Sequence, residues 1–264
     1  MKLQILLPLV VLFLIISSCS DDTTVLKPDI PECLLLSYTD SSNYYFEIEY
    51  DEGRTKYLYQ YNFVDGKKNN LINRVEYNRN LFNEITHINY FDKSGEFQGV
   101  DSIYTNNNGL PFDNISFNAA GNMVEKASLV YDNLENVIQK KIYIFEETWN
   151  LKTIYSYEYD EQGRVISSVR EQLSFNGSQF DSTSYTYDNM KNIDNLIDIF
   201  SVFKTNNFLT ATTVYTLLSG KTSTETKYYE YEYNELGYPI KTKITSSVDA
   251  NDVKFKYNTL ECSR

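Results

Sequence analysis

Histidine occurs once in this 264-residue chain, at His87, and tryptophan once, at Trp149. One histidine with no cysteine near it makes no metal site, and His87 in Ile85-Thr86-His87-Ile88 reads as a strand-surface residue. No Gly-rich phosphate loop, His-x-x-x-His or Gly-x-Ser-x-Gly occurs. No metal, cofactor or catalytic residue is therefore assigned, and a non-enzymatic protein is expected. Cations are scarce as well: 24 Lys and Arg against 36 Asp and Glu give a formal charge of −12. Phosphate backbones recruit Lys and Arg, so nucleic acid is not expected as a partner. An anionic membrane surface is disfavoured as a direct target for the same reason.

What the chain has in quantity is tyrosine, 24 residues. The clearest stretch is Tyr155-Ser156-Tyr157-Glu158-Tyr159-Asp160-Glu161-Gln162-Gly163-Arg164-Val165-Ile166. Residues two apart in a strand share a face, so its tyrosines line one side and Ser156 and Glu158 the other. Asp160 can accept backbone N–H groups, Glu161 and Gln162 suit a type I turn, and Gly163 suits the left-handed position that closes a bulged hairpin. Relatives of this template begin at Phe91, Phe117, Tyr131, Tyr187 and Tyr233, and the one at Tyr104 carries an extra Asn. The aromatics at 91, 104, 117 and 131 lie 13 or 14 residues apart, and those at 131, 159 and 187 lie 28 apart. Such a period leaves strands of about nine residues, and a chain of hairpins without long crossovers is an antiparallel up-and-down meander. About 14 to 18 strands fit in the length.

Residues 1–18 read as a targeting segment: Lys2, an apolar run from Leu6 to Ile16, then Ser17-Ser18-Cys19. Leu14 to Cys19 resembles a bacterial lipobox, which implies cleavage before Cys19 and its lipidation; an ordinary signal peptide is the alternative. Ser20-Asp21-Asp22 resembles the surface-export signal of some Gram-negative lipoproteins. The expected location is the outer membrane, lipid-anchored and facing the cell surface, with the periplasmic face as the alternative. Residues 19–31 carry Pro28 and Pro31 and read as a flexible tether, leaving 32–264 as a single β-repeat domain. Cys33 and Cys262 stand at its two ends, and in an oxidising compartment they form either a disulfide joining the first and last strands or two buried free thiols.

One stretch departs from the alternation. Ile193, Leu196, Ile197, Phe200 and Phe203 are spaced as on a helix, and a short amphipathic helix is expected over 194–203. A hydrophobic strand with an irregular turn is the other reading.

The Tyr-Asp-x-x-Gly-Arg-Val of 159–165 and its relatives resemble the YD repeats of RHS-type proteins. The lipobox, the Tyr-Asp hairpins, the late excursion and Tyr231-Glu232-Tyr233-Asn234-Glu235-Leu236-Gly237-Tyr238-Pro239 together resemble bacterial surface-lipoprotein domains of unknown function with a porin-like fold. The resemblance covers most of the chain after the leader. It implies an all-β, curved, barrel-like sheet and supplies no functional residues. A lipid-spanning barrel needs an apolar outer band, and the alternate faces here are Tyr with Thr or Leu against Ser, Lys, Glu and Thr.

Tyrosine faces suit sugars and extended peptides, and they also suit a half-buried core. The binding candidates are Tyr155, Tyr157, Tyr185, Tyr229 and Tyr231, together with Trp149 in an expected turn over Glu146 to Asn150. Asp92, Asp160 and Asp188 share one turn position, which gives them a structural role in place of paired-acid catalysis. The expected function is glycan or extracellular-partner binding; the alternative is a structural subunit that docks another envelope protein.

Overall fold

A computed structural model of the chain describes residues 33–40, 43–174, 177–192 and 206–262. The stretch expected to be helical, 194–203, and the lipidation residue Cys19 lie outside the described residues. The first half contributes β1 (Cys33–Thr39), β2 (Tyr44–Asp51), β3 (Arg54–Val64), β4 (Lys67–Arg79), β5 (Ile85–Asp92), β6 (Phe97–Thr105), β7 (Pro111–Asn118) and β8 (Met123–Tyr131). The second contributes β9 (Val137–Glu146), β10 (Thr148–Tyr159), β11 (Val165–Ser174), β12 (Gly177–Lys191), β13 (Asn206–Thr216), β14 (Thr222–Tyr233), β15 (Pro239–Ser246) and β16 (Lys254–Cys262). Each strand pairs antiparallel with its sequence neighbours, and β1 pairs with β16 to close the barrel. The sheet is therefore closed, where the sequence implies a curved, barrel-like sheet and leaves its closure open. Closure satisfies the backbone groups that an open edge would leave unpaired.

All connections from an even to an odd strand lie at the end where β1 begins and β16 finishes, here called the terminal end; the others lie at the distal end. The 28-residue spacing of Tyr131, Tyr159 and Tyr187 is thus the step from one terminal-end hairpin to the next.

The tight turns are built as their residues dictate. Asp160 Oδ1 accepts the N–H of Gln162 and of Arg164, both at 2.9 Å, and Gly163 donates to the Asp160 carbonyl at 3.0 Å. Gly163 has φ +75°, a left-handed backbone that glycine adopts without penalty. Asp132 and Asn234 bind the second and fourth following N–H groups in the same way.

Every such hairpin then carries one extra residue. Tyr159 pairs with Val165 but Glu158 with Ser167, so Ile166 is a bulge. Ile138, Phe112, Leu209 and Ile240 occupy the same position in their hairpins. The bulge reverses the in-out alternation: Val165 points inward and is fully buried, while Ile166 points outward and is 41% exposed.

The inner wall is graded. Near the terminal end, Leu129, Val137 and Val165 pack with Tyr131, Tyr157, Tyr159 and Tyr185, Leu35 packs with Ile48, and Ile85 packs with Ile88 and Ile103. Each buried aliphatic side chain there stabilises by about 1.5–3 kcal/mol. Toward the distal end the same wall becomes polar. Gln60 accepts from Asn73 at 2.7 Å, Tyr90 donates to Asp101 at 2.8 Å, and Arg170 pairs with Asp181. The outer wall carries charge ladders such as Asp113–Lys126 (2.8 Å) and Glu230–Lys243 (3.0 Å).

Candidate functional site

Three terminal-end tyrosines fasten one hairpin to the preceding one. Tyr131, Tyr159 and Tyr187 donate to the carbonyls of Pro111, Val137 and Val165 at 2.5, 2.8 and 2.5 Å. Each acceptor is the first residue of a return strand. Tyr50, at the end of β2, makes the corresponding bond to the Leu35 carbonyl of β1 at 2.9 Å. The tyrosine of the Tyr-Asp pair is thus a latch, and the aspartate is the turn. Tyr187-Asp188 departs from this pattern, because β12 runs on to Lys191. Asp188 accepts the N–H of Met190 and of Asn207, at 3.0 and 3.2 Å, and the Tyr233 hydroxyl.

Burial holds the Tyr131 and Tyr159 hydroxyls up to about 12 and raises those of Tyr50, Tyr187 and Tyr233. The fold prefers the neutral phenol, so the folded pKa lies above the unfolded value of about 10. The latches therefore contribute fully below pH 10 and lose that contribution as the pH climbs toward 12. We expect an absorbance titration at 295 nm to show a late group of tyrosines that ionises together with loss of the β signal in circular dichroism. A single ordinary step near pH 10, with the barrel still folded beyond it, would contradict the latch.

The turn carboxylates are committed to structure. Burial alone would raise the Asp160 carboxyl, but the Arg164 N–H, its side chain and the Gln162 N–H hold it below the usual range. A hydrogen bond from Ser94 lowers Asp92, and one from Asn136 lowers Asp132. His87 sits on the outer wall with Nδ1 3.1 Å from Thr86 Oγ1. Among the described residues no group of His, Cys, Asp and Glu could hold a metal ion.

Five of the six binding candidates share the inner wall. Tyr155, Tyr157 and Tyr185 line a cavity of about 310 Å³ with Ser168, Arg170, Asp181, Thr183, Thr213 and Tyr215. Tyr229 and Tyr231 line a neighbouring one of about 180 Å³ with Leu35, Tyr38 and Phe208. Phe208 stands between them, its ring centroid 5.1 Å from Tyr185 and 5.9 Å from Tyr229.

Trp149 is a correction. The expected turn over Glu146 to Asn150 shrinks to Glu147 alone, at φ +66°, and Trp149 lies within β10. It faces outward and stacks edge-on against Phe145, centroids 5.0 Å apart. The tyrosines also do not share one face throughout. Tyr57 and Tyr59 are on the outer wall, donating to Glu76 and Glu49 at 3.3 and 2.9 Å, while the inner positions beside them are Leu58 and Gln60. Sequence reasoning missed Arg170, Asp181 and Tyr215; the Ile166 bulge is the signal that brings Arg170 to the tyrosine side.

Cys33 and Cys262 face each other at the seam in register and form a disulfide in the structure.

No protein-family model matches the chain, and no curated protein does. Solved structures share its fold, two of them as follows. A porin-like protein from Bacteroides uniformis ATCC 8492 aligns over 87% of this chain and 95% of its own, with 11% identity and a TM-score of 0.57. A porin-like protein from Bacteroides vulgatus ATCC 8482 aligns over 87% and 98%, with 12% identity and a TM-score of 0.50. The chain has an all-β, closed, sixteen-strand antiparallel barrel of this porin-like kind. Such a fold is compatible with an envelope location.

Proposed function

We propose that this protein is a non-enzymatic, lipid-anchored barrel of the outer membrane, held at the cell surface through Cys19, that binds a glycan on its inner wall. One observation carries the reading. The tyrosines Tyr155, Tyr157, Tyr185 and Tyr215 line an open cavity beside the Arg170–Asp181 pair, on a wall that is packed dry near the terminal end. Flat rings with polar tips beside charged hydrogen-bonding groups are what a sugar requires. The outer wall supports a water-facing barrel, because its ion-pair ladders would sit in hydrocarbon in a spanning one, at about 2–4 kcal/mol for each Lys or Arg at mid-depth.

A glycan array probed with residues 24–264 tests the reading, with a bound sugar as the expected result. Tyr155→Ala should then weaken binding about tenfold, the loss of one stacking face of about 1.4 kcal/mol. Trp149→Ala, on the opposite wall, should leave it unchanged. Equal losses for both variants would remove the inner wall from the argument.

A second reading, docking of another envelope protein, has its own observation. The bulge residues Phe112, Ile138, Ile166, Leu209 and Ile240 form an exposed apolar series around the outer wall near the terminal end. A clean negative on the array, with a pull-down that recovers envelope proteins, would favour it over glycan binding.

A further inference from the structure

The outer wall carries charge ladders over most of its circumference, but β11 to β14 present a block without them. Ser167, Ser184, Thr212 and Thr226 stand opposite one another on these four successive strands. The next outward row toward the distal end is Val169, Ser182, Val214 and Thr224. Phe180, Leu209 and Tyr228 are exposed at the borders of the two rows. Among the described residues, no outward position of β12 from Phe180 to Thr186, or of β13 from Leu209 to Thr216, is charged. Carboxylates stand only at the rim: Glu158 opposite Ser167, Glu171 opposite Phe180, and Glu230 beyond Tyr228 on β14.

The hydroxyls of this block already have partners. Thr186 pairs with Thr210 at 2.7 Å and Thr212 with Thr226 at 3.0 Å. A hydroxyl held by its neighbour can be covered without leaving a donor unsatisfied, so the block suits a dry contact. We propose that it is the contact surface for a second copy of this chain, related to the first by a two-fold axis. Two molecules of formal charge −12 repel each other, and they meet at least cost where the wall of both is neutral. With strands about 4.8 Å apart and about 3.4 Å per residue, the block measures roughly 20 Å by 20 Å. That is about 400 Å² of projected surface per copy, a size that supports a weak, reversible dimer and no obligate one. The contact is independent of glycan binding, because the tyrosine cavity lies on the opposite side of the same strands.

Sedimentation equilibrium of the folded protein, from about 1 µM to about 1 mM and at about 0.05 and 0.5 M sodium chloride, tests the proposal. We expect a monomer–dimer equilibrium with a dissociation constant on the order of 10–100 µM, tighter at the higher salt. Screening reduces the repulsion between the copies, and no ion pair crosses the contact to be weakened. Val169→Asp should loosen the dimer at least about tenfold, because each copy then buries an unpaired carboxylate. Thr224→Lys should do the same with the opposite charge, which separates burial of a charge from a change particular to Val169. Val130→Asp, at an exposed outward position of β8 outside the block, should leave the dimer as it is. A protein that stays monomeric throughout would overturn the proposal and leave the block to a partner other than this chain. So would a dimer that dissociates as salt rises, or one that Val130→Asp loosens as much as Val169→Asp does.

Discussion

Reduction of the Cys33–Cys262 bond should cost this barrel about 5 kcal/mol. The bond closes a loop with a sequence separation of 229 residues, and the chain-entropy treatment gives about that value for a loop so long. The corresponding drop in melting temperature is roughly 10 °C or more. Between β1 and β16 the ladder shifts register between Leu35 and Ser37, so hydrogen bonding at the seam is interrupted. A Cys33→Ser, Cys262→Ser double variant measured by denaturant titration beside the reduced and oxidised wild type checks the effect. Two free thiols counted by mass in the non-reduced protein, or equal stability with and without reductant, would remove the bond from the account.

Val165→Asp is expected to abolish folding, and Val169→Asp, four residues along the same strand, to be tolerated. Val165 is fully buried against Leu129 and Val137, where an unpaired carboxylate costs more than about 4 kcal/mol. Val169 pairs with Ser156 and Ser182 on the outer wall and is 36% exposed, so its replacement should change stability by no more than about 0.5 kcal/mol. Circular dichroism and a urea curve for each variant decide it. Similar losses at both positions would mean that Val169 does not lie on an exposed outer wall.

That pair of valines also shows how far the sequence could be read. The strands, their antiparallel order and a count in the right range follow from alternation and from turn residues such as Asp160 and Gly163. Those signals are local, and the structure builds each of them from the groups the sequence offered. The faces were harder. Strict alternation puts Val165 and Val169 on the same side, and the Ile166 bulge moves them to opposite sides. Nothing in Val165-Ile166 marks which residue is extra, because both are β-branched and both suit either wall. The same reversal misplaces Arg170 and hides the cavity it lines.

Closure of the sheet leaves no short-range pattern, and the one sequence signal for it is the pair Cys33 and Cys262 at the two ends of the domain, which a disulfide or two free thiols would explain equally. Trp149 was misjudged because a one-residue connection at Glu147 is shorter than the Glu146 to Asn150 segment suggested. The outward Tyr57 and Tyr59 have a different cause. On a strand, tyrosine can serve a wet wall as well as a dry one, and only neighbours such as Glu49 and Glu76 distinguish the two.

The single long-range pairing sets the order in which this molecule can be completed. A chain made from its N-terminus can fold each strand onto the one just released, because almost every partner is the sequence neighbour. β1 is the exception: one of its two partners, β16, is the last to be made. Throughout synthesis, therefore, a strand that begins Cys33-Leu34-Leu35-Leu36 offers an open edge, which is the surface most prone to pairing with another chain. The period of greatest hazard for this protein ends only when residues 254–262 arrive, so truncation of that last strand should be punished in the cell far more severely than its length implies.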